Sequence, residues 1–416
     1  MKVLVIGNGG REHAIVRALA QDPEVTDIWC APGNGGTGTL AANIDVVATD
    51  PSAVTGLATS LGIDLVVVGP EAPLVAGVAD AVRAAGIACF GPHAAAAHLE
   101  GSKAFAKEVM AAADVPTAMA HVCTTPEEAA AALDQFGAPY VVKDDGLAAG
   151  KGVVVTNDRD EALAHAAACG NVVIEEFLDG PEVSLFAITD GISAVALSPA
   201  QDFKRIGDDD LGPNTGGMGA YTPLPWAPDG LVNDVMARVV QPTLDEMQRR
   251  GTPFSGLLYV GLALTSRGTR VVEFNARFGD PETQAVLARL RTPLGQLLMA
   301  AATGRLAQQP PLAWIEGSAV TVVLAAPGYP DSPTTGGTIT GIDAAEEIEG
   351  VRVLHAGTAL ATDGTLTSSG GRVLSVTAVA DTLIEARANA YEAMVRIRLD
   401  GGQFRTDIAS KAIVTA

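Results

Sequence analysis

The first hundred residues constrain the fold most, because apolar strands and helices alternate there at short intervals. KVLVIG (2–7), DIWCAPG (27–33), IDLVVVGPE (63–71) and IACFGP (87–92) are apolar runs that reach Gly or Pro, and helical stretches such as 12–20 and VAGVADAVRAAG (75–86) lie between them. Strand–helix alternation with short loops specifies a parallel, doubly wound sheet. Ligands of such sheets bind beyond the carboxyl ends of the strands. Those ends carry Gly7-Asn8-Gly9-Gly10-Arg11-Glu12, Pro32-Gly33-Asn34 and Gly69-Pro70-Glu71.

GNGGRE invites a dinucleotide-binding reading, which two features disfavour. Glu12 replaces the third glycine of G-x-G-x-x-G, and the second strand ends in Ala31-Pro32-Gly33-Asn34 with no acid for a ribose hydroxyl. The glycines still leave backbone N–H groups at a helix start, and Arg11 adds a cation, which suits one phosphate monoester. Taken alone, the segment reads equally well as a tight turn.

VVEFNARFGDPETQ (271–284) carries a second constraint. Strand alternation sets Glu273, Asn275 and Arg277 on one face and Val272, Phe274 and Ala276 on the other. A carboxylate, an amide oxygen and a guanidinium in a row suit Mg²⁺ with phosphate charge beside it. Asp280 and Glu282 follow at the same end. A solvated polar-faced strand would look the same in isolation, but the chain supplies the other parts of a nucleotide site.

YVVK (140–143) and GVVVT (152–156) flank a glycine-rich connection, which reads as a hairpin with a mobile loop. Lys143, Lys151, Gly146, Gly150 and Gly152 would let it approach a polyphosphate. The Walker pattern fails, because Gly152 follows Lys151. Lys103 and Lys107 lie four apart on a predicted helix and, without context, read as solvated lysines. Between strands VVIEEF and EVSLFAIT, Phe177 and Leu178 could flank a base, with Glu182 for ribose hydroxyls. The long polar segment AQDFKRIGDDDLGPNTGGMGAYTP holds Asp202, Lys204, Arg205, Asn214, Thr215 and Gly216. Long irregular segments of this kind are usually functional or disordered. Phe203, Met218 and Tyr221 favour an ordered substrate loop.

A chain of 416 residues exceeds one hydrophobic core, so two to four domains are expected. The formal net charge of −21 argues against nucleic-acid binding and requires local cations for any anionic substrate. Cys30, Cys89, Cys123 and Cys169 form no C-x-x-C pair, which points to reduced thiols. No apolar run suits a signal peptide or a membrane span. A cytoplasmic protein with no membrane partner is expected, and a monomer.

VLVIGNGGREHA, GPEAPL, EGSKAF, KDDGLAAGKGVVV, IEEFLDG, GPNTGGMGAY, EFNARFGDPETQ, LHAGT and GGRVL occur here in one order. In this the chain resembles, end to end, the phosphoribosylamine–glycine ligase (glycinamide ribonucleotide synthetase) family of the ATP-grasp superfamily. The resemblance implies an α/β and α+β multidomain fold. An N-terminal substrate-binding α/β domain would span 1–101. A central ATP-grasp domain would span 102–320, with a lid subdomain over 116–185, and a C-terminal α+β domain 321–416.

It implies that ATP, glycine and 5-phosphoribosylamine give ADP, phosphate and glycinamide ribonucleotide through glycyl phosphate, the second step of purine biosynthesis. Mg²⁺ or Mn²⁺ would be held by Glu273 and Asn275. Arg277, Lys143 and Lys204 would act on the reacting groups. Lys103, Lys143, Gly146, Lys151, Glu175, Phe177, Leu178 and Glu182 match nucleotide positions. Gly9, Gly10, Arg11, Asn34 and Glu71 match the phosphoribosylamine side; Asp202, Asn214, Thr215, Gly216 and Asp280 would serve the substrates.

Three departures stand out. Asp144 replaces a common Ala after Lys143, the connection from GVVVT to VVIEEF is short, and LLYVGLALT carries no metal-binding acid.

Overall fold

The computed structural model describes residues 1–147 and 152–414. The N-terminal part is the parallel sheet that the alternation specifies. Its strands are β1 (Lys2–Gly7), β2 (Asp27–Pro32), β3 (Ala42–Asn43), β4 (Leu65–Val68) and β5 (Ala88–Phe90), in the order β3-β2-β1-β4-β5. All four pairings are parallel. The order reverses at β1, so the loop after β1 lies at the switch point where ligands enter such sheets. The first helix, Gly10–Leu19, starts there.

Two antiparallel sheets follow. The lid sheet holds β6 (Ala120–Cys123), β7 (Tyr140–Asp144), β8 (Val153–Thr156) and β9 (Val172–Glu175), in the order β6-β9-β7-β8. It has a small core of its own, with Val142, Ile174 and Leu133 buried together. The floor sheet holds β10 (Glu182–Asp190), β11 (Ala194–Ala196), β14 (Ser255–Thr265) and β15 (Gly268–Asn275), in the order β11-β10-β14-β15. The expected lid range of 116–185 is therefore too long: the lid sheet ends at Glu175, and Glu182 already pairs with Ala263 in the floor. Residues 176–181 cross between the two sheets without regular structure.

The fourth sheet joins segments far apart in sequence. β12 (Gln201–Asp202) and β13 (Gly219–Thr222) pair edge-on with β16 (Ser318–Ala325), β20 (Arg372–Ala380) and β17 (Val351–His355). A small hairpin, β18 (Thr358–Leu360) and β19 (Leu366–Ser368), stands beside it. The expected boundary between 320 and 321 cuts through β16, which is one continuous buried strand, so the C-terminal sheet begins at Ser318. The long polar segment is also more regular than its composition suggests, because its two ends form the β12–β13 hairpin pairing. No helix is long and apolar enough to cross a membrane among the described residues.

Candidate active site

The floor strand β15 carries a bulge that shapes the site. Gly261 pairs with Glu273 and Leu262 with Val271, which leaves Val272 as the extra residue. A bulged residue is unpaired in the ladder, and the Val272 carbonyl accepts a hydrogen bond from Lys143 Nζ at 3.0 Å. Lid strand β7 is thereby tied to the floor. Glu273 and Asn275 remain on one side of β15, with Asn275 Nδ2 3.4 Å from Glu273 Oε1. Burial alone would raise the Glu273 carboxyl, but the Lys204 and Lys143 ammonium groups, the Asn275 amide and Lys103 hold it below its usual range.

Three cations thus converge on one carboxylate from three elements. Lys143 comes from β7, Lys204 from the segment after β12, and Lys103 opens the helix Lys103–Ala112. Lys103 Nζ donates to the Gly146 carbonyl at 2.9 Å, which fixes the near end of the lid loop. Asp145 caps the same helix, accepting from Ala104 N and from the Ser102 hydroxyl, each at 3.1 Å. Lys107, expected to be solvated, is instead mostly buried and stands 2.9 Å from Glu175 Oε1. Lys143 reaches the other oxygen, Glu175 Oε2, at 2.8 Å. Glu175 therefore acts as an anchor for both lysines rather than as a free acceptor. Phe177 is exposed and Leu178 half-buried on the 176–181 crossing. Lys151 and Gly150 lie outside the described residues.

On the substrate side, Lys204 is ion-paired with Glu182. Burial would lower the Lys204 ammonium, yet Asp202, Glu182, Tyr259 and Glu273 hold it well above its usual value. Asp202 is pushed up to about 7, first by burial and further by Glu282, Glu182 and Glu273, with Lys204 opposing. Beneath them, Ser184, Tyr259 and Glu282 form a buried knot. The Ser184 and Tyr259 hydroxyls are 2.7 Å apart, and Tyr259 donates to Glu282 Oε1 at 3.0 Å.

Arg277 lies beyond the end of β15 and turns away from Glu273. Its Nε donates to Glu71 Oε2 at 3.0 Å, and its far nitrogen is 3.1 Å from Glu100 Oε1. Burial opposes its charge, but Glu100 and Glu71 raise it far above the usual range. Glu100 also accepts the Ala276 N–H at 2.7 Å, so it locks the strand end as well as the guanidinium. This clasp joins the N-terminal sheet to the floor.

On the expected phosphoribosylamine side, Gly9 and Arg11 have partners within the protein. Gly9 N–H is taken by Glu12 Oε2 at 2.6 Å, and Arg11 N–H lies 3.3 Å from Asp280 Oδ2. The Arg11 guanidinium turns inward to Glu12 Oε1 at 2.5 Å and the Phe278 carbonyl at 2.9 Å. The Glu12 and Asp280 carboxylates thus engage both groups in this structure. Glu12 fits because a Cβ on Gly69 would stand only 2.1 Å from its Oε1, so that position must stay bare.

Asn34 is likewise spent on structure. Its Nδ2 donates to the carbonyls of Asn8 and His355, each at 2.9 Å, and its Oδ1 accepts from Gly36 N and Thr37 N. Thr215 donates its hydroxyl to the Lys204 carbonyl at 2.8 Å and accepts from Gly217 N at 2.9 Å, bracing its own loop. Asn214 is half-buried and Gly216 exposed on that loop.

Arg372, named in sequence only within GGRVL, is brought into the site from β20. Its Nη1 donates to the carbonyls of Gly216 and Asp280, each at 2.6 Å, and its Nη2 is 3.4 Å from Asp280 Oδ2. Burial would raise the Asp280 carboxyl, but Arg372, Arg11, Gln284 and the Arg11 N–H keep it below the usual range. No sequence spacing could have paired residues on separate domains.

A lid sheet tied by Lys143 to a floor strand that carries a Glu–Asn pair is the arrangement of an ATP-grasp enzyme. The chain matches the phosphoribosylglycinamide synthetase N domain over residues 1–100, the ATP-grasp (A) domain over 101–283 and the C domain over 319–411. It belongs to the phosphoribosylglycinamide synthetase family. The phosphoribosylamine–glycine ligase of Streptomyces coelicolor is 66% identical over 414 residues, covering 99% of each chain. The crystal structure of phosphoribosylamine–glycine ligase from Thermotoga maritima superposes with a TM-score of 0.85 at 34% identity, covering 98% of this chain and 100% of that one. At 17% identity and a TM-score of 0.74, the biotin carboxylase domain of 2-oxoglutarate carboxylase from Hydrogenobacter thermophilus shares the fold alone, over 97% of this chain and 91% of that one; it was solved in complex with MgADP.

Proposed function

We propose that this chain joins glycine to 5-phosphoribosylamine at the expense of ATP, giving glycinamide ribonucleotide, ADP and phosphate in purine biosynthesis. The tie from Lys143 of the lid to the floor strand that carries Glu273 and Asn275 carries this reading. A carboxylate is a poor acyl donor, so the glycine carboxylate first takes the γ-phosphoryl group of ATP to form glycyl phosphate. The amine of phosphoribosylamine then attacks the acyl carbon and phosphate leaves.

Phosphoryl transfer chiefly needs positioning and charge neutralisation. Lys143 and Lys103 would flank the triphosphate between lid and floor, with Phe177 and Leu178 beside the base. Lys204 and Asp202 would hold glycine. Asp280, Arg372 and the exposed loop at Gly216 would face phosphoribosylamine, and the Arg277–Glu71 clasp would hold that wall in place.

Glu273 and Asn275 offer two hard oxygens, and among the described residues no group of three His, Cys, Asp or Glu side chains could hold a metal alone. That set fits Mg²⁺ or Mn²⁺ completed by phosphate oxygens and water. When bound, the ion would neutralise charge on the β- and γ-phosphates.

The test is ADP release measured with each substrate omitted in turn. Turnover that requires both glycine and phosphoribosylamine supports the assignment. Turnover with another amine or carboxylic acid would make the chain a sister ligase, and nucleotide binding with no turnover a non-catalytic shell.

A further inference from the structure

Away from the site just described, a cleft of about 180 Å³ opens where the first helix, the helix Glu282–Arg289 and the C-terminal sheet meet. Its charged lining residues are Arg17 from the first helix and Arg352 from β17; the rest of the lining is neutral. Arg17 is half-buried and makes no side-chain hydrogen bond or ion pair among the described residues. Arg352 donates once, to the Val351 carbonyl. Burial, followed by repulsion from Arg352, lowers the Arg17 guanidinium, and Glu346 compensates only in part. The Glu346 carboxylate is itself engaged by the Val353 N–H at 2.9 Å.

A buried amide lies beside the two cations. Gln284 also lines the cleft and is only 2% exposed. Its Nε2 donates to Asp280 Oδ1 at 2.8 Å, while its Oε1 has no partner. Reversing the amide would set its oxygen against that carboxylate, so the acceptor must face away from Asp280. Two guanidiniums lining one small cleft ask for an oxyanion. The volume is that of about six waters and lies below the ~300 Å³ of an ordinary small-molecule pocket.

We propose that this cleft is a binding site for a phosphate-type oxyanion, held by Arg17 and Arg352. An anion there bridges all three domains. Both helices that line the cleft begin at the substrate side, one at Gly10 and the other just after Asp280. Occupancy would therefore clamp the Gly9–Arg11 turn and Asp280 together without touching substrate.

The test is calorimetric titration of inorganic phosphate into the enzyme saturated with a nonhydrolysable ATP analogue and Mg²⁺, so that the nucleotide site is filled. Arg17→Gln and Arg352→Gln should each weaken binding about tenfold or more, the loss expected for one charge-assisted hydrogen bond. Glycerol phosphate binding as well as phosphate would assign the site to a phosphomonoester head, and its failure would assign it to free phosphate. Arg352 is exposed, so its variant should fold even where the Arg17 variant does not. Phosphate affinity unchanged in Arg352→Gln, or no binding to the wild type, overturns the proposal.

Discussion

The Lys143 ammonium stands 2.8 Å from Glu175 Oε2 while donating to the Val272 carbonyl on the opposite sheet. One cation is thus shared between the end of the lid and a bulge in the floor. Its position is set before any nucleotide arrives, which is what electrostatic preorganisation requires. Lys143→Met should lower kcat by about 10²–10³, as the loss of one preorganised donor does. Single-turnover kinetics would check it. A variant with near-normal phosphoryl transfer would make Lys143 a structural tie only.

Glu273→Gln removes a charge that Lys204, Lys143 and Lys103 stabilise. The variant should fold, because the amide keeps the shape of the side chain, but ATP turnover should vanish even at saturating Mg²⁺. ADP release and circular dichroism measured on the same preparation test both halves. Turnover near the wild-type rate would remove Glu273 from the metal site.

Local pattern carried the parallel sheet, the lid hairpin and the Glu273–Asn275 face into view, since each depends on alternation or turn residues within one segment. Long-range polar pairing was not legible. Nothing near Arg11 in sequence announces that Phe278 and Asp280 will occupy it, or that Arg372 will cover Asp280 from β20. Nor does the sequence announce that Asn34 makes four side-chain hydrogen bonds that brace the turn after β2 against the C-terminal sheet. Lys107 was misjudged because helical spacing cannot reveal a buried partner on another element, here Glu175. The bulge at Val272 was equally hidden, because it exists only in register with β14.

Arg11 now carries a different expectation from a phosphate ligand. Its guanidinium is 9% exposed and its partner Glu12 is 1% exposed. Arg11→Ala would leave the Glu12 carboxylate buried without its cation, a change that typically costs about 3–5 kcal/mol. Chemical denaturation should show that loss, and adding Glu12→Gln should recover part of it by removing the uncompensated charge. A stable Arg11→Ala enzyme with only a raised KM for phosphoribosylamine would restore Arg11 as a direct phosphate contact.

The last prediction concerns the seam between the N-terminal and C-terminal sheets. His13 Nδ1 accepts the His355 N–H at 2.8 Å, so the ring must be neutral at that nitrogen. Burial first, then the nearby His355 and Arg17, lowers His13 to about 3. The unfolded chain, with an ordinary value near 6.5, binds a proton that the folded chain refuses between those limits. Stability from this group is therefore complete above about pH 6.5 and is lost progressively as pH falls toward about 3. At pH 4.5 the loss should be roughly 2–3 kcal/mol. His13→Asn removes the titrating ring and should flatten that part of the stability–pH curve, although it lowers stability at pH 7 through lost packing. Urea midpoints for both proteins at pH 7 and pH 4.5 decide the matter. An equal drop in the two would mean that other groups, not His13, govern the acid sensitivity of the seam.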